Sequence, residues 1–320
     1  MTGVIAIGAS QGGVEALRTV IAGLPRNFEW PVLVVQHIGT ARSMLPSLLN
    51  EVSSLPASHA VDGEPLLPGR IYIAPPDHHL VVKDRHVGLL RGPRENWARP
   101  AIDPLFRTVA HVFGPEAIGI ILTGNLNDGT AGLYEIKKHG GVAIVQDPAD
   151  AEAPSMPRSA VENVAVDYRL RLTEIPGLLE ELSKGKELRK SPAGVPPMTD
   201  NAETFSTPVA QTCPECGGAM REEQLGTLTQ FRCHIGHLLT AEVLAAAKLE
   251  MLDNDISRCV MATHERAELC NEIARKHESR GATATARQWR SAADQAQERA
   301  RVLAGFAEKE WISPTSGGAE

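Results

Sequence analysis

At 320 residues the chain has room for one large domain and one or two small ones. Its 42% hydrophobic and 22% charged residues are those of a soluble globular protein. A net charge of −7 and an aromatic share of 4% argue against a phosphate-backbone or base-stacking surface, so no nucleic-acid partner is expected. No basic leader, long apolar run or lipidation signal is present, and the expectation is a cytoplasmic protein with no membrane insertion.

Val4 to Ile7 are apolar and β-prone, short enough for a buried parallel strand. Gly8, Gly12 and Gly13 punctuate a tight turn, and Val14 to Ile21 read as a helix. Ser10 thus falls on a strand–turn–helix corner and matches G-x-S-x-G, in which small neighbours let a substrate approach the hydroxyl. The dinucleotide fingerprint fails because position 10 is Ser, and the P-loop fails because no Lys is near. A purely structural turn, with glycines for close strand–helix packing, is the competing reading.

Trp30 to His37 give a second strand, and Ser43 to Val52 a helix. Arg70 to Ala74 form a short strand, and Leu80 to Lys83 with Val87 to Leu90 a hairpin. Asp103-Pro104 reads as a helix start with Asp as N-cap, and Gly114 as its end. Ala117 to Leu122 are another buried strand, leading through Thr123-Gly124-Asn125-Leu126-Asn127-Asp128-Gly129 into a helix to His139. Gly141 to Val145, a short helix from Ser155, a strand near Val164 to Tyr168 and a helix from Thr173 to Leu182 complete the alternation. The fold class is therefore α/β, a doubly wound, mostly parallel (Rossmann-like) sheet over residues 1–185. In such sheets ligands bind at the carboxyl ends of the strands. Ser10, His37 and Asp128 each follow a strand there, as do Asp77, Gln146 and Asp147. A serine, a histidine and an aspartate at one edge meet the needs of a nucleophile, its general base and an orienting carboxylate. Taken singly, His37 could be a satisfied buried histidine, and Asp128 an N-cap for the helix from Thr130.

The segments Ile7-Gly8-Ala9-Ser10-Gln11-Gly12-Gly13, Val35-Gln36-His37, Tyr72-Ile73-Ala74-Pro75, Arg99-Pro100-Ala101-Ile102-Asp103-Pro104-Leu105-Phe106, Leu122-Thr123-Gly124 with Asp128-Gly129, and Gln146-Asp147-Pro148 followed by Met156-Pro157 resemble, in that order, the catalytic domain of the chemotaxis protein-glutamate methylesterases, the CheB family. The resemblance implies a Ser10–His37–Asp128 triad and hydrolysis of glutamyl methyl esters on chemoreceptors, sometimes with glutamine deamidation. No cofactor is implied for this chemistry. Backbone N–H groups around Gln11, Gly12 and the Asn125 loop are the expected oxyanion and substrate pocket. Two departures lie there: Gln11 stands where the family usually has Thr, and Asn125-Leu126 where it has Met-Gly. They support a second reading, a weakly active adaptor that binds receptors or two-component proteins through its carboxyl-terminal module. The family's usual amino-terminal receiver does not precede residue 1, so a stand-alone catalytic domain is expected.

The five cysteines all lie beyond residue 212, a distribution that suits metal binding and not a disulfide framework. Residues 186–210 read as a Pro/Gly-rich linker, 211–239 as a zinc-ribbon-like module and 240–313 as a helical hairpin. Cys213, Cys216, Cys233 and His237, with His234 as the alternative fourth ligand, are spaced for a structural tetrahedral zinc. This module resembles the segment found behind stand-alone methylesterase domains of the same family. Thr240 is a plausible cap for the first long helix, Gly281 marks the turn, and Thr283 to Trp311 form the second helix. Cys259 and Cys270 fall on the apolar stripe and are expected to be buried. With a linker between them, loss of metal is expected to unfold the ribbon and spare the esterase domain.

Overall fold

Strand β1 (Val4–Ala9) buries all six of its residues, as a strand covered on both faces must. It lies at the centre of a seven-stranded sheet in the computed structural model of the chain, which describes residues 3–38, 43–185 and 208–308. The other strands are β2 (Val32–Gln36), β3 (Ala57–His59), β4 (Ile71–Ile73), β7 (Ala117–Ile121), β8 (Val142–Gln146) and β9 (Tyr168–Leu170). All pairings are parallel, in the order β3-β4-β2-β1-β7-β8-β9. Helices α1 (Gly13–Ala22), α2 (Leu45–Asn50) and α6 (Ile175–Ser183) cover one face and share a core with Ile5, Ile7, Val32 and Val34. On the other face, α3 (Ile102–Phe113), α4 (Thr130–Lys138), α5 (Ser155–Asn163) and the hairpin β5 (His79–Lys83)–β6 (His86–Leu90) pack with Val4, Ala6, Leu33 and Val35. The chain runs from β1 outward through β2 to β4, then crosses to β7 on the other side of β1. That reversal makes the carboxyl ends of β1 and β7 the topological switch point, where a crevice opens.

The doubly wound sheet is as expected, with three local differences. Ala57–His59 forms an edge strand that a three-residue run does not announce. The last strand starts at Tyr168, since Val164 ends α5 as its C-cap and is buried in the core. Asp103 is not an N-cap: α3 begins at Ile102 with Ala101 as its cap residue, and Asp103 is a buried member of the first turn.

A second sheet, β10 (Pro208–Thr212), β11 (Ala219–Leu225), β12 (Leu228–Cys233) and β13 (Leu238–Thr240), is antiparallel throughout. Its first strand starts inside the segment read from sequence as linker; residues 186–207 lie outside the described residues. This ribbon does not stand apart from the α/β sheet, and both fall in one compact unit ending at Leu244. Trp97 and Leu126 pack against the ribbon core of Cys213, Met220, Cys233, Leu239, Val243 and Leu244. An Arg94–Glu215 ion pair at 3.3 Å adds to the contact. Leu126 holds a left-handed backbone (φ 61°), a conformation suited to the glycine the family has there. Its side chain is spent on the ribbon, which accounts for a bulky residue at that position.

The second compact unit, which begins at Ala245, contains a helical hairpin formed by most of α7 (Ala241–Glu278) and by α8 (Thr283–Ala307). Gly281 makes the turn with φ 76°. Ala267, Cys270 and Ala274 of α7 and Ala286, Ala293, Ala296 and Ala300 of α8 are buried, small residues that allow close packing. Cys270 is buried as expected, whereas Cys259 is exposed, beside the half-buried Ile256, Val260 and Thr263 that continue the stripe. The expected extension of the second helix to Trp311 lies outside the described residues.

Candidate active site

Parallel register brings the first two site residues together. Ala9 pairs with Gln36 at the ends of β1 and β2, so Ser10 and His37 are the next residues across the ladder. The His37 amide donates to the Ala9 carbonyl at 3.0 Å. Gln36 ties the two turns, its Nε2 donating to the carbonyls of Ser10 (2.7 Å) and His37 (3.1 Å). After Ser10 the chain turns through Gly12 at φ 72° into α1.

Ser10 Oγ lies 3.2 Å from His37 Nδ1, and His37 Nε2 lies 2.7 Å from Asp128 Oδ2. The carboxylate requires the ring proton on Nε2, which leaves the Nδ1 lone pair to accept from the serine hydroxyl. The His37 side chain keeps 20% exposure and Asp128 3%, so the series runs from solvent into the interior.

Asp128 sits in the loop between β7 and α4, but it does not cap α4, whose N-cap is Gly129. It caps α3 instead. The Ile102 amide donates to Oδ2 at 2.6 Å, and the Asp103 amide approaches Oδ1 at 3.4 Å. Ala101 has no side chain to serve these donors, so the carboxylate answers both the helix and the imidazole. Gly8 and Gly129 make room for this, since a Cβ at either would lie 2.4 and 2.8 Å from Ile102 Cγ2. Asn96 adds a donor from its side chain, with Nδ2 2.8 Å from Asp128 Oδ1 and 2.9 Å from Asp103 Oδ2. Burial pushes Asp128 up, but the bonds from His37, Ile102 and Asn96 outweigh it and hold the carboxyl at about 2. Burial and the neighbouring Asp128 charge push Asp103 well up, so the pair carries its negative charge on Asp128, facing His37.

Gln11 and Asn125, the positions that depart from the family pattern, meet over the site: Asn125 Nδ2 donates to Gln11 Oε1 at 2.5 Å. Thr123 Oγ1 donates to the Gln11 carbonyl (2.9 Å) and accepts from the Ala153 amide (2.8 Å), which fixes the loop under them. Among the described residues the Gln11 and Gly12 amides have no acceptor, so both remain available beside Ser10. The other strand-end candidates are occupied elsewhere. Asp77 pairs with Arg99 and Arg91, Asp147 with Arg169, and Gln146 accepts from the Thr123 amide. Sequence reading did not single out Asn96, because its contribution depends on a fold contact and no motif surrounds it.

Cys213, Cys216, Cys233 and His237 converge, with ligand atoms all within 4.8 Å of one another, a group that could hold a metal ion. His237 Nδ1 lies 3.6 Å from Cys213 Sγ and 3.5 Å from Cys233 Sγ, and the Cys216 and Cys233 sulfurs are 3.7 Å apart. A tetrahedral site with ordinary zinc–sulfur and zinc–nitrogen bonds requires about 3.8 Å between sulfurs and about 3.6 Å from sulfur to nitrogen. The residues fit. Burial lifts the Cys213 thiol to about 11, so a cation is needed to keep it a thiolate, while amides of Ile235, His237 and Gly236 aimed at Cys233 outweigh its burial and lower it. His234 is exposed, lies over Gly218 and is not among the four.

A hydroxyl, an imidazole and a buried carboxylate in series at the switch point of a doubly wound sheet is the layout of a serine hydrolase. The model of the CheB methylesterase family matches residues 5–179, more than half of the chain, and the chain belongs to that family. A Leptospira interrogans protein provisionally named protein-glutamate methylesterase/protein-glutamine glutaminase is 43% identical over 183 residues, 56% of this chain and 94% of its own length. A protein-glutamate methylesterase/protein-glutamine glutaminase of Yersinia pestis is 40% identical over 192 residues, 58% of this chain and 54% of that protein. The crystal structure of the Thermotoga maritima CheB methylesterase catalytic domain matches with a TM-score of 0.56 at 36% identity, covering 57% of this chain and 99% of that one.

Proposed function

We propose that the chain hydrolyses glutamyl methyl esters on a methylated receptor protein, and deamidates glutamine at the same site, through Ser10, His37 and Asp128. The observation that carries this reading is the unbroken series Ser10 Oγ–His37 Nδ1 and His37 Nε2–Asp128 Oδ2 in a chain of the methylesterase family. Ser10 Oγ attacks the ester carbonyl while Nδ1 takes its proton, and Asp128 stabilises the imidazolium. The Gln11 and Gly12 amides, at the opening of α1, receive the oxyanion. Methanol leaves with the proton from Nδ1, and water deprotonated by the same nitrogen cleaves the glutamyl-enzyme; with a glutamine substrate, ammonia leaves instead. No cofactor enters these steps. The Gln11–Asn125 bridge forms the rim the ester passes, and the two changes leave the series intact. No helix among the described residues is long and apolar enough to cross a membrane, and we place the reaction in the cytoplasm. Incubation with membranes carrying methylated receptor should release methanol in proportion to enzyme; no release above the blank would overturn the assignment.

We assign zinc, in a structural role, to Cys213, Cys216, Cys233 and His237, whose four side chains close a tetrahedron and leave no open position. Freshly purified protein should contain about one zinc per chain by elemental analysis, and Cys216→Ser should lose most of it. Metal-free wild-type protein with an intact ribbon would contradict the assignment.

A further inference from the structure

The ribbon grips the active site from behind. Its strand β13 follows directly on His237, one of the four converging ligands, and Leu238 is its first residue. The Leu238 carbonyl accepts from the Asn96 amide at 2.8 Å, and the Thr240 amide donates to Asn96 Oδ1 at 3.2 Å. Both backbone and side chain of Asn96 are therefore held by β13, and the remaining side-chain group, Nδ2, points at Asp128 and Asp103. Thr240 also reaches the residue before Asp128. Its hydroxyl donates to Asn127 Oδ1 at 2.7 Å, and Asn127 Nδ2 donates to Glu242 at 2.8 Å.

The gripped segment is poorly disposed to hold this shape alone. Asn96 and Trp97 are consecutive left-handed residues, at φ 48° and 62°, a conformation disfavoured for a residue with a Cβ. Packing of Trp97 on the ribbon core and the two bonds to β13 offset that cost. If β13 were released, the segment could relax, and two buried carboxyls would lose the donor they share. Among the described residues Asn96 is the sole side chain other than His37 that donates to Asp128.

We infer that the ribbon is a positioning element of the esterase site: β13 fixes Asn96 and Asn127, Asn96 fixes Asp128, and filling of the Cys213–Cys216–Cys233–His237 site sets the geometry of the Ser10–His37–Asp128 series. The inference rests on the triad reading given above. It reverses the expectation that a linker insulates the esterase from loss of metal.

The test uses the full chain in five forms: wild type, wild type stripped by a chelator, Asn96→Ala, Thr240→Val, and Thr240→Ser, which keeps the hydroxyl. Two quantities are read, the kinetic constants for methanol release and the proton resonance of His37 Nε2–H in ¹⁵N-edited spectra. Stripping the metal, Asn96→Ala and Thr240→Val should each lower kcat about 10- to 100-fold with KM little changed, the scale for a displaced catalytic group. Each should also move the Nε2–H resonance upfield, while Thr240→Ser restores both. Asn96→Ala should keep its metal, which separates loss of the donor from loss of the ribbon. Unchanged kcat and an unmoved resonance in stripped protein and in Asn96→Ala would overturn the inference. The resonance needs no turnover, so it also decides the matter in a Ser10→Ala background, where continued methanol release would instead sink the triad reading.

Discussion

Ser10→Ala is expected to lower kcat for ester hydrolysis by about three to six orders of magnitude, the loss seen when the nucleophile of a triad is removed. Alanine keeps the Cβ that already lies against Gly124, and the turn is held by backbone bonds from Gly13 to the Ser10 carbonyl and from Ser10 to the Thr123 carbonyl, neither of which uses the hydroxyl. The melting temperature should therefore stay within about 2 °C, since surface-type changes of this size cost at most roughly 0.5 kcal/mol. His37→Ala should fall comparably. Methanol release by Ser10→Ala within tenfold of wild type would remove the serine from the mechanism.

Asp128→Asn should act on rate and stability together. Among the described residues every hydrogen-bond partner of Asp128 is a donor: His37 Nε2 and the Ile102 amide at Oδ2, Asn96 Nδ2 and the Asp103 amide at Oδ1. Whichever way an asparagine turns, its NH₂ faces donors, and the imidazole loses the partner that keeps its proton on Nε2. A drop in kcat of about 10²- to 10⁴-fold is expected. The sign for stability is opposite to that of a raised group. Asp128 is held at about 2 in the fold against 3.8 ordinarily, so its contribution is present above pH 4 and is lost as pH falls towards 2. Over that interval wild type should lose about 2 kcal/mol more than Asp128→Asn in denaturant titrations. Parallel acid curves for the two proteins would show that the carboxylate is not stabilised in this way.

What the sequence discloses is what local pattern can carry. Ser10, His37 and Asp128 each follow a buried apolar run, so the topology rule alone puts them on one edge. The convergence of Cys213, Cys216, Cys233 and His237 is legible from paired knuckle spacing. Asn96 is not, because its value comes from a strand more than a hundred residues later and from a backbone conformation no motif signals. Asp103 misleads for a related reason: Asp-Pro is a good helix opening, but here the cap is supplied in trans by Asp128, which frees Asp103 to turn inward and accept from the Gly132 amide at 2.6 Å. Leu126 reads from sequence as an altered pocket residue, and only the packing shows that it belongs to the ribbon interface.

The orientation of the His37 ring has a geometric origin. Ser10 and His37 extend a parallel ladder in register, so their main chains are separated by little more than the spacing between neighbouring strands, about 4.8 Å. Across so short a gap the nearer ring nitrogen, Nδ1, already reaches the hydroxyl, and Nε2 is left to bridge to the loop beyond β7. The choice of nitrogen is thus a matter of arm length, set by the sheet. It also means that the Ser10–His37 distance inherits the stiffness of backbone hydrogen bonds. A slip of one residue between β1 and β2 would turn His37 to the opposite face, so the Ser10–His37 spacing depends on the ladder, while the placement of Asp128 depends on the Asn96 and helix contacts around it.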